Sequence, residues 1–299
     1  MTNVVAVNRK GRLGRATVGD WVIVFFMLLL IATCLLPMLS VVATSFSSPD
    51  AIMRRQVAFL PVDFQINAYI DVLGTQRFMR SMAWTGILTA IVVVVNLTMT
   101  TLAAYPLTYD SLKGRKIITF YIVFTMLFGA GLIPTFILFR DLSLLNNPLV
   151  LILPGMISVF NMIIMRNFFM GIPDSLKESA EIDGAGPLTT LIKIYLPLSV
   201  PVMATLGLFY AVGRWNGFMD GLFFLPAAAE WHPIQLLLYN ILENLTAIDL
   251  ADPGATAPPG WNDAVQAAAI VIAMVPILCV YPFIQKYFVK GATLGAVKG

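Results

Sequence analysis

Ser81–Tyr109 reads SMAWTGILTAIVVVVNLTMTTLAAYPLTY and contains no Asp, Glu, Lys or Arg between Arg80 and Asp110. A helix needs roughly 20 apolar residues to cross the core of a bilayer, and this run exceeds that length. Five further charge-free runs have the same character. They are Trp21–Pro49, Ile117–Phe139, Leu142–Met165, Ile194–Gly213 (with apolar residues on to Pro226) and Ala264–Gln285. The sequence therefore predicts an all-α membrane protein with six transmembrane helices.

The overall composition supports a membrane protein. The chain of 299 residues is 59% hydrophobic and 12% charged, with a mean hydropathy of +0.84. Soluble domains usually carry about 45–50% apolar and about 25% charged residues, so a soluble enzyme, a disordered linker and a nucleic-acid-binding protein are all disfavoured. A single histidine, His232, makes a His-based metal site hard to build. Cys34 and Cys279 lie inside apolar runs, which disfavours a disulfide framework.

The distribution of Lys and Arg predicts the orientation, because cytoplasmic segments carry an excess of these residues. One set of helix ends holds thirteen Lys and Arg and the opposite set holds five. Both chain ends belong to the basic set and are predicted to be cytoplasmic. The first apolar run is longer than the roughly 7–15 residues of a signal-peptide core, so we expect it to remain as a helix. The predicted divisions are a cytoplasmic tail 1–20, a first transmembrane helix 21–46, an extracytoplasmic segment 47–80, a core 81–285 with an outward segment 227–262, and a cytoplasmic tail 286–299.

The cytoplasmic loop 166–200, between the fourth and fifth spans, carries the signals of a short helix. Pro173 precedes two candidates for the N-cap, Asp174 and Ser175. The stretch Ser175-Leu-Lys-Glu178 fits a capping box. Gly184 is expected to end this helix, and Pro187 suits the first turn of the next one.

A helix of about nine residues is marginal in water by itself, so its apolar side chains need a partner. Two interpretations are open: docking on a cytoplasmic protein, or resting on lipid headgroups. The cytoplasmic leaflet is negatively charged, and the acidic residues of this helix therefore favour a protein partner. The apolar residues are Leu176, Ala180 and Ile182, and the acidic residues are Glu178, Glu181 and Asp183.

The residues of this loop resemble a known family signature. Glu178-Ser-Ala-x-x-Asp183-Gly184-Ala185, followed by Ile194-Tyr-Leu-Pro197, is similar to the loop of permease subunits of ATP-binding-cassette importers. The usual form has Ala where this chain has Ser179. Further stretches resemble the carbohydrate-importer branch, including permeases for maltose and alginate. These stretches are Asn146-Asn-Pro, Leu153-Pro-Gly, Arg166-Asn-Phe-Phe-Met, Ile172-Pro-x-Ser-Leu and Trp215-Asn216.

The resemblance implies a role for the loop helix. In such importers this helix sits in a cleft of an ATPase subunit and transmits its closing motion to the transmembrane helices. Glu178 would pair with a basic residue of the ATPase, although its alternative role is the acid of the capping box. Ala180, Asp183 and Gly184 are the other residues expected to couple to the ATPase.

The resemblance also implies the partners. The chain contains no Gly-x-x-x-x-Gly-Lys-Ser/Thr loop, so ATP and Mg²⁺ are expected to bind partner subunits, with no cofactor and no catalytic residue in this chain. The expected partners are a second permease subunit, two ATPase subunits, an extracytoplasmic solute-binding protein and the sugar substrate. The core 81–285 is then the permease core, in the plasma (inner) membrane.

The fifth span holds the candidate residues for the translocation path. Arg214 and Asp220 are charges within a membrane segment, where such charges usually face a cavity or a partner. On a straight helix they would point about 120° apart at roughly 100° per residue, so each is expected to pair elsewhere. Trp215 and Asn216 follow Arg214 directly. Aromatic side chains here could stack on sugar rings or could pack the helix; they are Phe209, Tyr210, Trp215 and Phe218.

Other classes of membrane protein fit less well. An intramembrane hydrolase would need a motif such as His-Glu-x-x-His, and the single His232 lies in an outward segment. An ion-coupled carrier would be expected to show repeated halves and carboxylates at the membrane midplane, where only Asp220 qualifies. An importer for a solute other than a sugar remains open.

Overall fold

The computed structural model describes residues 18–243 and 260–296, and every regular element within them is a helix. The first seven helices are α1 (Val18–Ser45), α2 (Pro49–Met53), α3 (Asn67–Gly74), α4 (Gln76–Ala104), α5 (Arg115–Leu127), α6 (Leu132–Asp141) and α7 (Val159–Phe169). The next are α8 (Asp174–Ile182), α9 (Pro187–Thr190), α10 (Leu196–Leu198), α11 (Val200–Trp215), α12 (Met219–Phe224), α13 (Ile234–Glu243) and α14 (Trp261–Ala296). The predicted all-α class is confirmed for this part of the chain.

Three of the six predicted spans are single long helices. They cover Gly19–Ser45, Gln76–Thr108 and Trp261–Val280. The other three predicted spans are pairs of shorter helices that bend sharply at a break. The described residues therefore contain three helices long and apolar enough to cross a membrane, or six spans if each bent pair crosses once.

The third predicted span, Ile117–Phe139, is not one helix. Helices α5 and α6 meet there at 111°. Phe128 has extended backbone, and Gly131 has a φ of 85°, which residues with a side chain rarely adopt. A run without charges reveals that a segment is apolar but not that its helix is continuous.

The fourth and fifth predicted spans also bend. Two 3₁₀ turns over Pro148–Gly155 meet α7 at 45°, and the segment Pro187–Leu198 meets α11 at 83°. The second segment contains a π-helical turn, Leu191–Tyr195, and Pro197, whose missing N–H weakens helix continuity. Helix α11 ends at Trp215, and the apolar residues that continue to Pro226 include a separate helix, α12.

Helix α4 is the centre of the bundle and packs against α7, α11 and α13. Helix α14 packs against α1, α3 and α11. Apolar side chains of α1 from Trp21 to Ile31 are exposed, as expected for a surface that meets lipid. Predictions on residues 1–17, 244–259 and 297–299 lie outside the described residues; these include most of the tail 1–20, the last three residues of the tail 286–299 and part of the segment 227–262.

Candidate functional site

Helix α8 is the short helix predicted in the loop 166–200. Its N-cap is Pro173, so Asp174 and Ser175 lie inside the helix. The predicted capping box between Ser175 and Glu178 is therefore wrong. Because Ser175 already has helical backbone, its carbonyl accepts a hydrogen bond from the Ser179 hydroxyl (2.8 Å), and Glu178 is exposed.

The C-terminal end of α8 agrees with the prediction. Gly184 has a φ of 77°, and its N–H donates to the Glu181 carbonyl (3.1 Å) while the Ala185 N–H donates to the Ala180 carbonyl (2.9 Å). This pair of bonds is a Schellman motif. Pro187 is the first residue of α9, as predicted. The backbone thus fixes where α8 stops without any help from its charged side chains.

Most of α8 is exposed. Ala180 is the buried residue of the helix, at 8% exposure. Ile182 is 85% exposed and Leu176 is 41% exposed, and both are apolar. Glu178 and Asp183 are exposed as well. Two of the three apolar residues that were expected to need a partner therefore remain exposed within the described part of this chain, Ile182 most of all.

A cluster of aromatic side chains lies beneath the loop, where the second and fourth spans end. Tyr105 and Tyr109 share a hydrogen bond between their hydroxyls. The ring centroid of Tyr105 lies 5.0 Å from that of Tyr195 and 6.3 Å from that of Phe169. Tyr105, Phe169 and Tyr195 are all buried. We call these four residues the aromatic cluster; it joins the end of α4, the end of α7 and the π-helical turn.

Lys177 links α8 to this cluster, and sequence reasoning missed it. Its Nζ lies 3.8 Å from the centroid of the Tyr109 ring, a cation–π geometry. No local pattern pairs the two residues, because Tyr109 follows the second span and Lys177 follows the fourth. The contact becomes visible only when the fold brings these loops together.

Arg214 and Asp220 pair with each other, which contradicts the expectation that each needs a partner elsewhere. Arg214 lies in the last turn of α11, and Asp220 lies in the first turn of α12. The argument from a straight helix fails because the chain turns between them. Asn216-Gly217 is a turn-favouring dipeptide, and it was the sequence signal for this break.

The pair is part of a larger set of hydrogen bonds, which we call the clasp. Arg214 Nη1 and Nη2 donate to the two carboxylate oxygens of Asp220, the second over 3.0 Å. Nη2 also donates to the Gly217 carbonyl (3.0 Å) and Nη1 to the Leu151 carbonyl (3.3 Å). Asp220 accepts a further bond from the Gly221 N–H (3.0 Å). Arg214 is only 8% exposed, so the clasp neutralises a buried cation and joins α11 and α12 to the turn Pro148–Leu151.

The clasp borders a cleft of about 240 Å³. Four of the six candidate path residues line it: Phe209, Tyr210, Arg214 and Asp220. The two others lie elsewhere. Asn216 is exposed at the end of α11. Trp215 is buried, and its Nε1 donates to the Ala273 carbonyl of α14 (3.2 Å).

The aromatic candidates for sugar stacking differ in accessibility. Phe209 is exposed. Phe218 stacks on Tyr239 with ring centroids 5.1 Å apart. Tyr210 is buried, and its hydroxyl bonds to Thr100 Oγ1 (2.6 Å) and accepts from the Ser158 N–H (3.2 Å). In this conformation, Phe209 has the most accessible ring. No group of His, Cys, Asp and Glu side chains that could hold a metal ion occurs in the described part of the chain.

Comparison with known families and proteins gives a consistent result. Residues 96–293 match the family described as binding-protein-dependent transport system inner membrane component. The polygalacturonan/rhamnogalacturonan transport system permease protein YtcP of Bacillus subtilis is 42% identical over 94% of this chain and 98% of its own length. The arabinooligosaccharides transport system permease protein AraQ of Halalkalibacterium halodurans is 27% identical over 88% of this chain and 91% of its own length.

A solved structure is similar over nearly the whole chain. It belongs to a bacterial ABC transporter involved in the import of the acidic polysaccharide alginate. The match has a TM-score of 0.83 and 36% identity, and it covers 91% of this chain and 98% of that one. Together these similarities confirm the predicted resemblance to permeases of carbohydrate ABC importers.

Proposed function

Because this chain belongs to the family of binding-protein-dependent transport system inner membrane components, we propose that it is one permease subunit of an ATP-driven importer. With a second permease subunit it would form the path for a sugar or an oligosaccharide. The solute would be delivered by a solute-binding protein outside the membrane. Two ATPase subunits would bind ATP and Mg²⁺ and supply the energy, since permeases of this family are not enzymes themselves.

The proposed class of solute follows from the relatives. Polygalacturonan/rhamnogalacturonan, arabinooligosaccharides and alginate are named for three similar proteins. All are polymers or oligomers of sugars. Fragments of polysaccharides, including alginate, are therefore the substrates that we propose for this importer.

The observation that carries the proposal is the exposure of α8. A nine-residue helix is marginal alone, yet α8 ends in a complete Schellman motif and leaves Ile182 85% exposed. A partner that covers Leu176 and Ile182 would bury apolar surface, which is favourable. We assign this role to an ATPase subunit, with Glu178 pairing to one of its basic residues and Asp183 and Gly184 at the edge of the contact.

The proposed path includes the cleft beside the clasp. Phe209 and Tyr210 supply aromatic surface, and Arg214 with Asp220 supplies the polar edge. Trp215 would hold the wall in place through its bond to α14, and Asn216 lies at the exposed end of α11. Aromatic rings can pack against the apolar faces of sugars, so Phe209 is the residue that we propose to contact the solute.

The proposed topology follows the distribution of basic residues. Both termini and the coupling loop 166–200 face the cytoplasm, and the segments 47–80 and 227–262 face outward. The first transmembrane helix is 21–46 and the permease core is 81–285, within the plasma (inner) membrane. Cysteine labelling from one side of sealed vesicles would test this orientation at Asn146 and Ser175.

The experiment for the function is purification of the chain from its native membrane followed by transport assays. We expect an ABC ATPase to co-purify. Proteoliposomes of the complex, supplied with the binding protein, are expected to take up labelled oligomers of galacturonate, alginate or arabinose only when ATP is present. Absence of an ATPase from the purified complex, or uptake restricted to non-sugar solutes, would contradict the proposal.

A further inference from the structure

Lys177 contacts an aromatic ring and forms no ion pair with an acidic side chain of the described residues. Glu181 lies one turn further along α8, at a spacing that often gives an ion pair. Within the described residues Lys177 forms no ion pair with it, and its Nζ instead lies over the Tyr109 ring at 3.8 Å. The cation thus points toward the body of the permease, while Glu178 is exposed on the helix.

Tyr109 is firmly held at the end of the second span. Its N–H donates to the Pro106 carbonyl (3.2 Å), and its hydroxyl bonds to that of Tyr105. The neighbouring residue Asp110 pairs with Arg115 at 2.6 Å. Nearby, Arg166 Nε donates to the Leu107 carbonyl (3.1 Å), which ties the end of the fourth span to the same turn. A displacement of Lys177 therefore acts on a ring that is fixed to α4 and not on a loose loop.

We infer that Lys177 is a positioning residue that transmits the movement of α8 to the second span through Tyr109 and the aromatic cluster. Covalent connections lead from α8 only to α7 and α9, its neighbours in the chain. The Lys177–Tyr109 contact adds a route to α4, which packs against α7, α11 and α13 at the centre of the bundle. This inference rests on the proposed docking of α8 on an ATPase.

The test uses the complete importer in lipid nanodiscs. Lys177→Met and Tyr109→Leu remove the cation and the ring, whereas Lys177→Arg and Tyr109→Phe retain them. The first readout is co-purification of the ATPase, and the second is the change in intrinsic tryptophan fluorescence on addition of ATP and vanadate. The third is uptake per ATP hydrolysed.

We expect Lys177→Met and Tyr109→Leu to keep the ATPase bound but to lower uptake per ATP at least two- to fivefold, because both residues are partly exposed and a fully exposed cation–π contact contributes about that factor. The fluorescence change should be smaller in both variants. Lys177→Arg should stay close to wild type. Tyr109→Phe keeps the ring but loses the hydroxyl bond to Tyr105, so it should fall between wild type and Tyr109→Leu. The double variant Lys177→Met/Tyr109→Leu should be no worse than either single one, since both remove the same contact.

Each other outcome overturns the inference or its premise. If Lys177→Met leaves uptake per ATP unchanged, or if Tyr109→Phe is as impaired as Tyr109→Leu, the cation–π contact does not transmit movement. If Lys177→Met loses the ATPase while Glu178 is intact, Lys177 belongs to the docking surface instead. If no ATPase binds even the wild type, the proposed function fails, and the inference fails with it.

Discussion

The loop around α8 and the clasp between α11 and α12 both interrupt the membrane-spanning part of the chain, but they are built in opposite ways. The loop is shaped by backbone signals, with Gly184 ending one helix and Pro187 starting the next. It leaves its acidic side chains exposed. The clasp is held by an ion pair between the buried Arg214 and the partly buried Asp220, which lie on different helices. The exposed acidic side chains of the loop are thus available to a partner. The charged side chains of the clasp are already paired with each other within the chain.

The largest effect on stability is expected from breaking the clasp. Asp220→Asn leaves the buried Arg214 without a counter-charge, and removing one member of a buried pair typically costs about 3–5 kcal/mol. Because the Asp220 side chain is 33% exposed, we expect a value near the lower end. Unfolding of the purified protein in lipid would measure the loss.

The double variant Arg214→Met/Asp220→Leu is the matched control for this prediction. It removes both charges and should be more stable than Asp220→Asn, because apolar replacements of a buried pair are often tolerated. Equal loss in both variants would mean that the bonds from Arg214 to the Leu151 and Gly217 carbonyls matter more than the charge pair.

In the loop, we expect a charge substitution to abolish uptake without lowering the stability of the protein. Glu178→Lys should leave the protein folded in the membrane, since the residue is exposed, but should abolish uptake. Loss of a buried interfacial pair costs about 2–5 kcal/mol, or roughly 30-fold or more in affinity. Co-purification of the ATPase and uptake by proteoliposomes are the measurements.

Glu181→Lys is the control for Glu178→Lys, with the same charge change on the same helix. It should retain ATPase binding, because Glu181 was not predicted to pair with the ATPase, whereas its uptake is expected to fall, since the new cation lies one turn from Lys177. Similar loss of ATPase binding in both variants would indicate that the overall acidity of α8 governs docking, and not one specific pair. Normal uptake by Glu178→Lys would remove the docking role altogether.

The contrast between these regions also explains what could be read from the sequence. The end of α8 depends on residues that are adjacent in the chain, so Gly184 and Pro187 predicted it. Its start was misassigned because Pro173, Asp174 and Ser175 offered competing signals. The six apolar runs were found from composition, but the bend between α5 and α6 depends on the backbone at Gly131, which hydropathy does not report.

Contacts between distant residues were beyond sequence reasoning. Lys177 and Tyr109 meet only because two spans end side by side. Arg214 and Asp220 are close in sequence, but on a straight helix their side chains would point apart. The turn at Asn216-Gly217 places them on two helices and makes the pairing possible.

A smaller effect is expected at Gly184. A Cβ at this position would meet no atom within 4 Å, but a left-handed backbone costs residues with a side chain about 1–2 kcal/mol. Gly184→Ala should therefore fray the end of α8 and weaken ATPase binding while global stability is kept. Hydrogen exchange of the Gly184 and Ala185 amides would report the fraying directly.

Gly221→Ala is the matched glycine variant in the clasp region. The φ of Gly221 is not positive, so alanine causes no backbone strain there. An added Cβ would, however, lie 2.9 Å from Leu236 Cδ2, which is too close without a shift of that side chain. We expect lower global stability and unchanged ATPase binding, the reverse of Gly184→Ala. If both variants behaved alike, the distinction between a loop built for a partner and a clasp built for the fold would not hold.

The smallest effect is expected from Tyr210→Phe. The Tyr210 hydroxyl joins α4 at Thr100 to the Ser158 N–H at the start of α7, and a hydrogen bond contributes about 0.5–1.5 kcal/mol net. We therefore expect a loss of about 1 kcal/mol in the free energy of unfolding. Tyr121→Phe, at a ring that is 63% exposed on α5, should change stability by less than about 0.5 kcal/mol.

Two measurements on Tyr210→Phe, the free energy of unfolding and the KM for the transported oligosaccharide, separate the structural role of the hydroxyl from its proposed role in the path. If the hydroxyl only fixes the wall of the cleft, stability falls and the KM for the transported oligosaccharide stays constant. If the hydroxyl binds the solute, KM rises with little change in stability. The second result would show that the cleft beside the clasp opens during transport, because in the present conformation both partners of this hydroxyl belong to the protein itself.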